Sequence, residues 1–261
     1  MLETIIFSLI IAIFVGVSAG YLGSLMVLEK MALVGDALSH VALPGLAIGI
    51  LFNFNPFIGA FLFLFVSVII IWQLQRVTKL SFEALVGAMF TLALAIGILI
   101  IPEVDLLEAL FGDISRVTAI DAVAAIIISL IAILLTKIIY KKLVLAMISE
   151  DIAISKGINV ASTNLLYLFL VSLVVAIGIQ IVGTLLVGFL VIVPAIASKN
   201  LSSDMRKYAL LSAIFGAIAA FVGVLAASIF NVAFPGTMVV FVGIAIFAVS
   251  VVINWKMKIT T

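Results

Sequence analysis

One histidine occurs in the whole chain, His40, and it lies in the stretch Met31-Ala-Leu-Val-Gly-Asp-Ala-Leu-Ser-His-Val-Ala-Leu-Pro-Gly-Leu-Ala-Ile-Gly49, between two long apolar runs. Asp36 precedes it by four residues, so on a helix the two side chains share a face, one turn apart. A carboxylate oxygen and an imidazole nitrogen placed in this way can hold a metal ion. Pro44 stands at the next i+4 step and cannot donate a hydrogen bond to the His40 carbonyl, so the helix is expected to kink there and leave that oxygen without its helical partner. In hydrocarbon such an oxygen is costly unless protein, water or an ion meets it. The same residues allow a plainer reading, in which an Asp–His hydrogen bond ties two helices together and the proline is an ordinary membrane-helix kink. Ionisable groups at membrane depth are functional by default, which favours the first reading.

The element that carries these residues belongs to a membrane protein. Of 261 residues, 67% are hydrophobic and 10% charged, against about 25% charged in a soluble domain, and the mean hydropathy is +1.54. The composition predicts an all-α, polytopic transmembrane bundle forming a single domain over residues 1–261. No mixed, charged segment is long enough for a soluble catalytic domain. The net charge of +1, with no basic run, gives no sign of a nucleic-acid partner. With no cysteine there is neither a disulfide nor a thiolate metal site. The first apolar run lacks a basic leader and a small-residue cleavage site, so it reads as a retained span and not as a signal peptide.

A crossing needs about 20 apolar residues. On that basis spans are expected over 4–28, 32–52, 57–75, 84–101, 118–138, 157 to about 182, 183–198, 208–230 and 238–255, for a total of eight to nine. The sixteen residues 183–198 make the shortest of these. Between the spans, residues 103–116 form an acidic amphipathic loop, in which Glu103, Asp105, Glu108 and Asp113 could attract cations. Residues 149–159 form a short connector, helical at first and stopped at Gly157. With nine spans and the N-terminus outside, every lysine and arginine except Arg116 faces the cytoplasm, 12 of 13, as the positive-inside rule requires. A re-entrant 183–198 would flip all that follows and leave 7 inside against 6. The charge pattern therefore favours a crossing, a plasma or inner membrane location, and a cytoplasmic C-terminus. Small residues four apart (Gly16/Gly20, Gly45/Gly49, and less well Gly183/Val187) suit close helix packing.

Four segments in order carry a resemblance: Gly35-Asp-Ala-Leu-Ser-His-Val-Ala-Leu-Pro-Gly45, Leu110-Phe-Gly-Asp-Ile114, Glu150-Asp-Ile-Ala-Ile-Ser-Lys-Gly157, and Val182-Gly-Thr-Leu-Leu-Val-Gly-Phe-Leu-Val-Ile-Val-Pro-Ala195. Together they resemble the membrane permeases of ATP-binding-cassette importers for zinc, manganese and iron. The resemblance implies a homodimer of this permease, two cytoplasmic ATPases and an external metal-binding receptor. It implies that Asp36 and His40 line the translocation pathway and contact the metal. It also implies that Glu150, Asp151, Ala153 and Gly157 belong to a coupling helix seated in the ATPase. No cofactor is expected to be held permanently; the divalent metal is cargo. The chain has no Gly-x-x-x-x-Gly-Lys-Ser/Thr phosphate loop, so hydrolysis is expected in a partner and the chain itself is not expected to be an enzyme.

A carboxylate–imidazole pair without thiolate suits Zn²⁺, Mn²⁺ or Fe²⁺ and not Cu⁺. The alternative is a proton-coupled secondary carrier or channel working without an ATPase, with the Asp–His pair as a proton relay. Against it stand the lack of an inverted repeat and the coupling-like connector. A chelate-sized cargo would not need a single Asp–His site.

Overall fold

The computed structural model describes residues 2–78, 80–100, 110–111, 118–184, 186–232 and 234–260. Most of the acidic segment 103–116, including Glu103, Asp105, Glu108, Asp113 and Arg116, lies outside them. The described residues form eleven helices: α1 (Leu2–Leu28), α2 (Ala32–Val41), α3 (Leu43–Leu51), α4 (Pro56–Thr78), α5 (Phe82–Ile100), α6 (Ala119–Ile148), α7 (Glu150–Ser155), α8 (Val160–Val182), α9 (Val187–Leu201), α10 (Met205–Ile229) and α11 (Pro235–Thr260). Eight helical segments are long and apolar enough to cross a membrane, α2 and α3 counting together as one.

Helix ends follow local chemistry. Thr118 and Asp121 close a capping box on α6, with the Thr118 N–H donating to Asp121 Oδ2 at 2.9 Å and the Asp121 N–H to Thr118 Oγ1 at 3.3 Å. Ser149, Asn159 and Asp204 cap α7, α8 and α10 through side-chain oxygens. Gly157 stops α7 in the left-handed region (φ 76). Its N–H donates to the Ile154 carbonyl at 2.8 Å and the Ile158 N–H to Ala153 at 3.0 Å, the paired bonds of a glycine-ended helix.

Helix α1 is the centre of the bundle, packing on α10 above all and on α6, α9 and α8. Gly16 and Gly20 let it approach α10 so closely that a Cβ at either would strike the backbone carbonyl of Gly216 or Ser212. The Ser212 hydroxyl uses that closeness to donate to the Gly20 carbonyl. Gly45 and Gly59 make the same kind of contact between α3 and α4. The small-residue pairs therefore build contacts inside one chain, where close backbone approach replaces the missing hydrophobic drive between membrane helices.

The expected span over 183–198 is realised differently. Helix α9 has 15 residues, about 22 Å of rise against a hydrocarbon core of about 30 Å, so it falls short of the eight. The described residues just before it, Gly183 (φ 80), Thr184 and Leu186, lie outside the helices. Gly183 and Thr184 are buried in protein, which is where non-helical backbone is tolerated at membrane depth. The chain nonetheless returns. The end of α9 is tied to the second half of α11 by Asn200 Nδ2 donating to Ser250 Oγ at 3.0 Å. Helix α10 then starts at the end of the bundle where α1 finishes, since Gly16 meets Gly216 and Gly20 meets Ser212 in antiparallel order. Lys30, Arg76, Lys137, Lys141, Lys142, Lys156, Lys199, Arg206, Lys207 and Lys256 thus lie toward one end of the molecule. Lys79 and Arg116 fall outside the described residues.

Candidate functional site

Asp36 and His40 stand one turn apart on α2, which packs against α5 and α9. The helix is interrupted at Ala42, between α2 and α3, and Pro44 sits buried in the first turn of α3. The proline ring cannot supply an N–H to His40, and the His40 carbonyl takes the N–H of Ala42 in its place.

His40 is 8% exposed. Its ring meets Phe90 of α5 edge-on, with centroids 5.3 Å apart and planes at 65°. Its Nδ1 is buried and has no hydrogen-bond partner among the described residues. A buried imidazole nitrogen without a partner costs stability comparable to a lost hydrogen bond, and native sites that keep such an atom do so for a ligand, water or proton. Asp36 is half-buried. Its backbone carbonyl accepts from Ser39 Oγ at 2.6 Å, and its Oδ1 faces the first turn of α9 at Gly188. Among the described residues no group of three or more His, Cys, Asp and Glu side chains comes together. Within one chain the pair offers two candidate ligand side chains, too few to close a metal's coordination sphere and suited at most to transient binding.

The connector helix α7 presents Glu150 and Asp151 outward and buries Ala153 completely. Ala153 therefore seats α7 on the bundle, and Gly157 ends it. The outward surface also carries Ile152 and Ile154, 47% and 56% exposed. The sequence reading passed over these two; the signal was available, since isoleucines interrupt an otherwise polar connector. Exposed isoleucines beyond the ends of the spans are the surface a protein partner would cover.

A cleft of about 340 Å³ opens beside α7, lined by Glu29, Trp72, Arg76, Glu150, Asn164 and Tyr167 among others. Arg76 lies 4.8 Å over the Trp72 ring. Burial pushes the Glu29 carboxyl up from its ordinary 4.5 to about 7. A raised acid pKa means the folded state holds its proton after the unfolded chain has lost it, so stability falls as pH rises from about 4.5 to about 7 and is level above. Glu29→Gln should therefore melt higher than the wild type at pH 8, with the difference vanishing toward pH 4.5. Equal melting of the two proteins at pH 8 would mean that the ionised carboxylate finds a partner, Arg76 being the cation that lines the same cleft.

Residues 1–254 match the family described as "ABC 3 transport family". The manganese transport system membrane protein MntC of Listeria innocua is 32% identical over 92% of this chain and 87% of its own length. The high-affinity zinc uptake system membrane protein ZnuB of Buchnera aphidicola is 32% identical over 96% of this chain and 98% of its own. PsaBC from Streptococcus pneumoniae, solved in complex with a Fab, superposes with a TM-score of 0.82 at 32% identity, covering 93% of this chain and 89% of that one. The break after His40, the short α9 and the capped connector all lie within the matched region, and the chain belongs to the ABC 3 transport family as the membrane permease subunit of an ABC transporter, not its ATPase.

Proposed function

We propose that this permease carries a divalent transition-metal ion, Mn²⁺ or Zn²⁺, inward across the cell membrane by alternating access, with Asp36 and His40 as transient ligands in the pathway. The observation that carries the reading is the buried, partnerless Nδ1 of His40, one turn from a carboxylate, inside a membrane-crossing bundle. The similarity to MntC and ZnuB, named for manganese and zinc systems, supports the cargo. Borderline metals accept mixed oxygen and nitrogen ligands, and a site of two ligands per chain releases what it binds.

Two copies of the permease meeting along the pathway would double the ligand set. An external binding protein would deliver the ion and a cytoplasmic ATPase would drive the switch, docking on α7 through Glu150, Asp151 and the surface that Ala153 and Gly157 hold in place. The clustering of cations at one end of the bundle supports a cytoplasmic position for that end. The N-terminus is then outside and the C-terminus inside.

The test is uptake of radiolabelled Mn²⁺ and Zn²⁺ into proteoliposomes with and without the ATPase, the binding protein and ATP. Uptake that requires all of them is expected. Uptake by the permease alone, driven by a proton gradient, would replace this reading with a secondary carrier, and no uptake of either ion would remove the metal cargo.

A further inference from the structure

Gly188 is the second residue of α9, and its missing side chain is what lets that helix reach Asp36. A Cβ at this position would stand 2.6 Å from Asp36 Cα, 2.6 Å from Oδ1 and 2.9 Å from Cβ, all inside the closest approach of non-bonded atoms. One turn further on, the Val191 carbonyl presses on Gly23 of α1, and Val191 Cγ1 would lie 3.6 Å from a Cβ on Gly35 of α2. Residues 188 and 191 share a face, so α9 is wedged into the angle between α1 and α2 with its first turn against the carboxylate.

Gly16, Gly20, Gly45 and Gly59 admit backbone to backbone, while Gly178 and Gly243 make room for the apolar side chains of Val187 and Phe189. At Gly188 the neighbour is an ionisable residue, met at its backbone Cα and at its carboxylate side chain. The contact fixes one oxygen of that carboxylate against the positive end of a helix, where an anion is favoured. His40 Nδ1, on the same α2, remains without a protein partner.

We propose that Gly188 is a positioning residue of the cation site: by admitting the first turn of α9 against Asp36 it holds the carboxylate where it can share an ion with His40. The device works through Asp36 and adds no ligand of its own. A side chain at 188 pushes α2 and α9 apart and turns the carboxylate away, so affinity falls before the fold does. Because α9 also packs on α10 and α11, a shift of those helices during switching would reach Asp36 through the same contact.

The inference rests on the reading of Asp36 and His40 as cation ligands, and the experiment separates the two. The permease is reconstituted with its ATPase and binding protein, and KM and maximal rate for Mn²⁺ are measured for the wild type, Gly188→Ala, Gly216→Ala and Asp36→Ala. Gly188→Ala is expected to assemble and to raise KM at least tenfold, or to abolish uptake. Gly216→Ala, an equally close contact remote from Asp36, is expected to lower the melting temperature while KM stays within twofold. Wild-type KM in Gly188→Ala, with Asp36→Ala inactive, overturns the role of Gly188 alone. Wild-type uptake in Asp36→Ala overturns the site reading and this inference with it. Failure of Gly188→Ala to assemble, where Gly216→Ala assembles, would make Gly188 a requirement of the fold and overturn its role as a positioning residue.

Discussion

Replacing His40 with alanine is expected to lower metal uptake by at least about 100-fold while the permease still assembles with its ATPase. Loss of groups that merely orient a metal's ligands commonly costs 10–100-fold, and His40 is proposed as a ligand itself. The fold should tolerate the change. The ring contributes an edge contact to Phe90, and its Nδ1 satisfies no other group in the chain, so truncation leaves no protein donor or acceptor newly unpaired. Asp36→Asn, which keeps the shape and removes the charge, should fail in the same way. Uptake assays beside a co-purification of the ATPase check both statements, and normal uptake in both variants would end the assignment of the pair to the pathway.

The second large effect is expected at α7. Ile152→Asp/Ile154→Asp should weaken the permease–ATPase association by about 100-fold or more. Burying an isoleucine is worth about 1.5–3 kcal/mol, and losing even the lower figure twice approaches 3 kcal/mol, two powers of ten in affinity. Both residues are about half exposed, so the melting temperature of the permease should fall far less than the association does. Undiminished binding, measured by biolayer interferometry on nanodiscs, would take the docking surface away from α7. Glu150 and Asp151, also outward, should respond to charge reversal more weakly, since rim charges mainly affect encounter rates.

The place of Ala153 shows what pattern reading missed about this connector. The motif marks Glu150, Asp151, Ala153 and Gly157 as one coupling unit, yet Ala153 is wholly buried and Gly157 acts by its backbone. Which side of a six-residue helix faces its own protein depends on how α6 and α8 flank it, and neither neighbour is written in the local sequence.

The number of long apolar spans, their approximate places and the break just before Pro44 were legible from residues alone, because apolar runs of bilayer length and a proline act over a few positions, although the span expected over 118–138 continues to Ile148. The same holds for the grouping of cations at one end, since charge resists crossing a bilayer wherever it lies in the chain. The spacing of Asp36 and His40 on one helical face was legible for the same local reason. Packing alone decided the rest. The chain between Gly183 and Leu201 returns through non-helical residues and a short helix, because buried surroundings satisfy backbone that lipid could not. Whether His40 Nδ1 keeps a partner, and whether α9 touches Asp36 through Gly188, depends on residues about 150 positions apart. Their meeting is set by close packing among α1, α2 and α9, for which a single sequence holds no periodic signal.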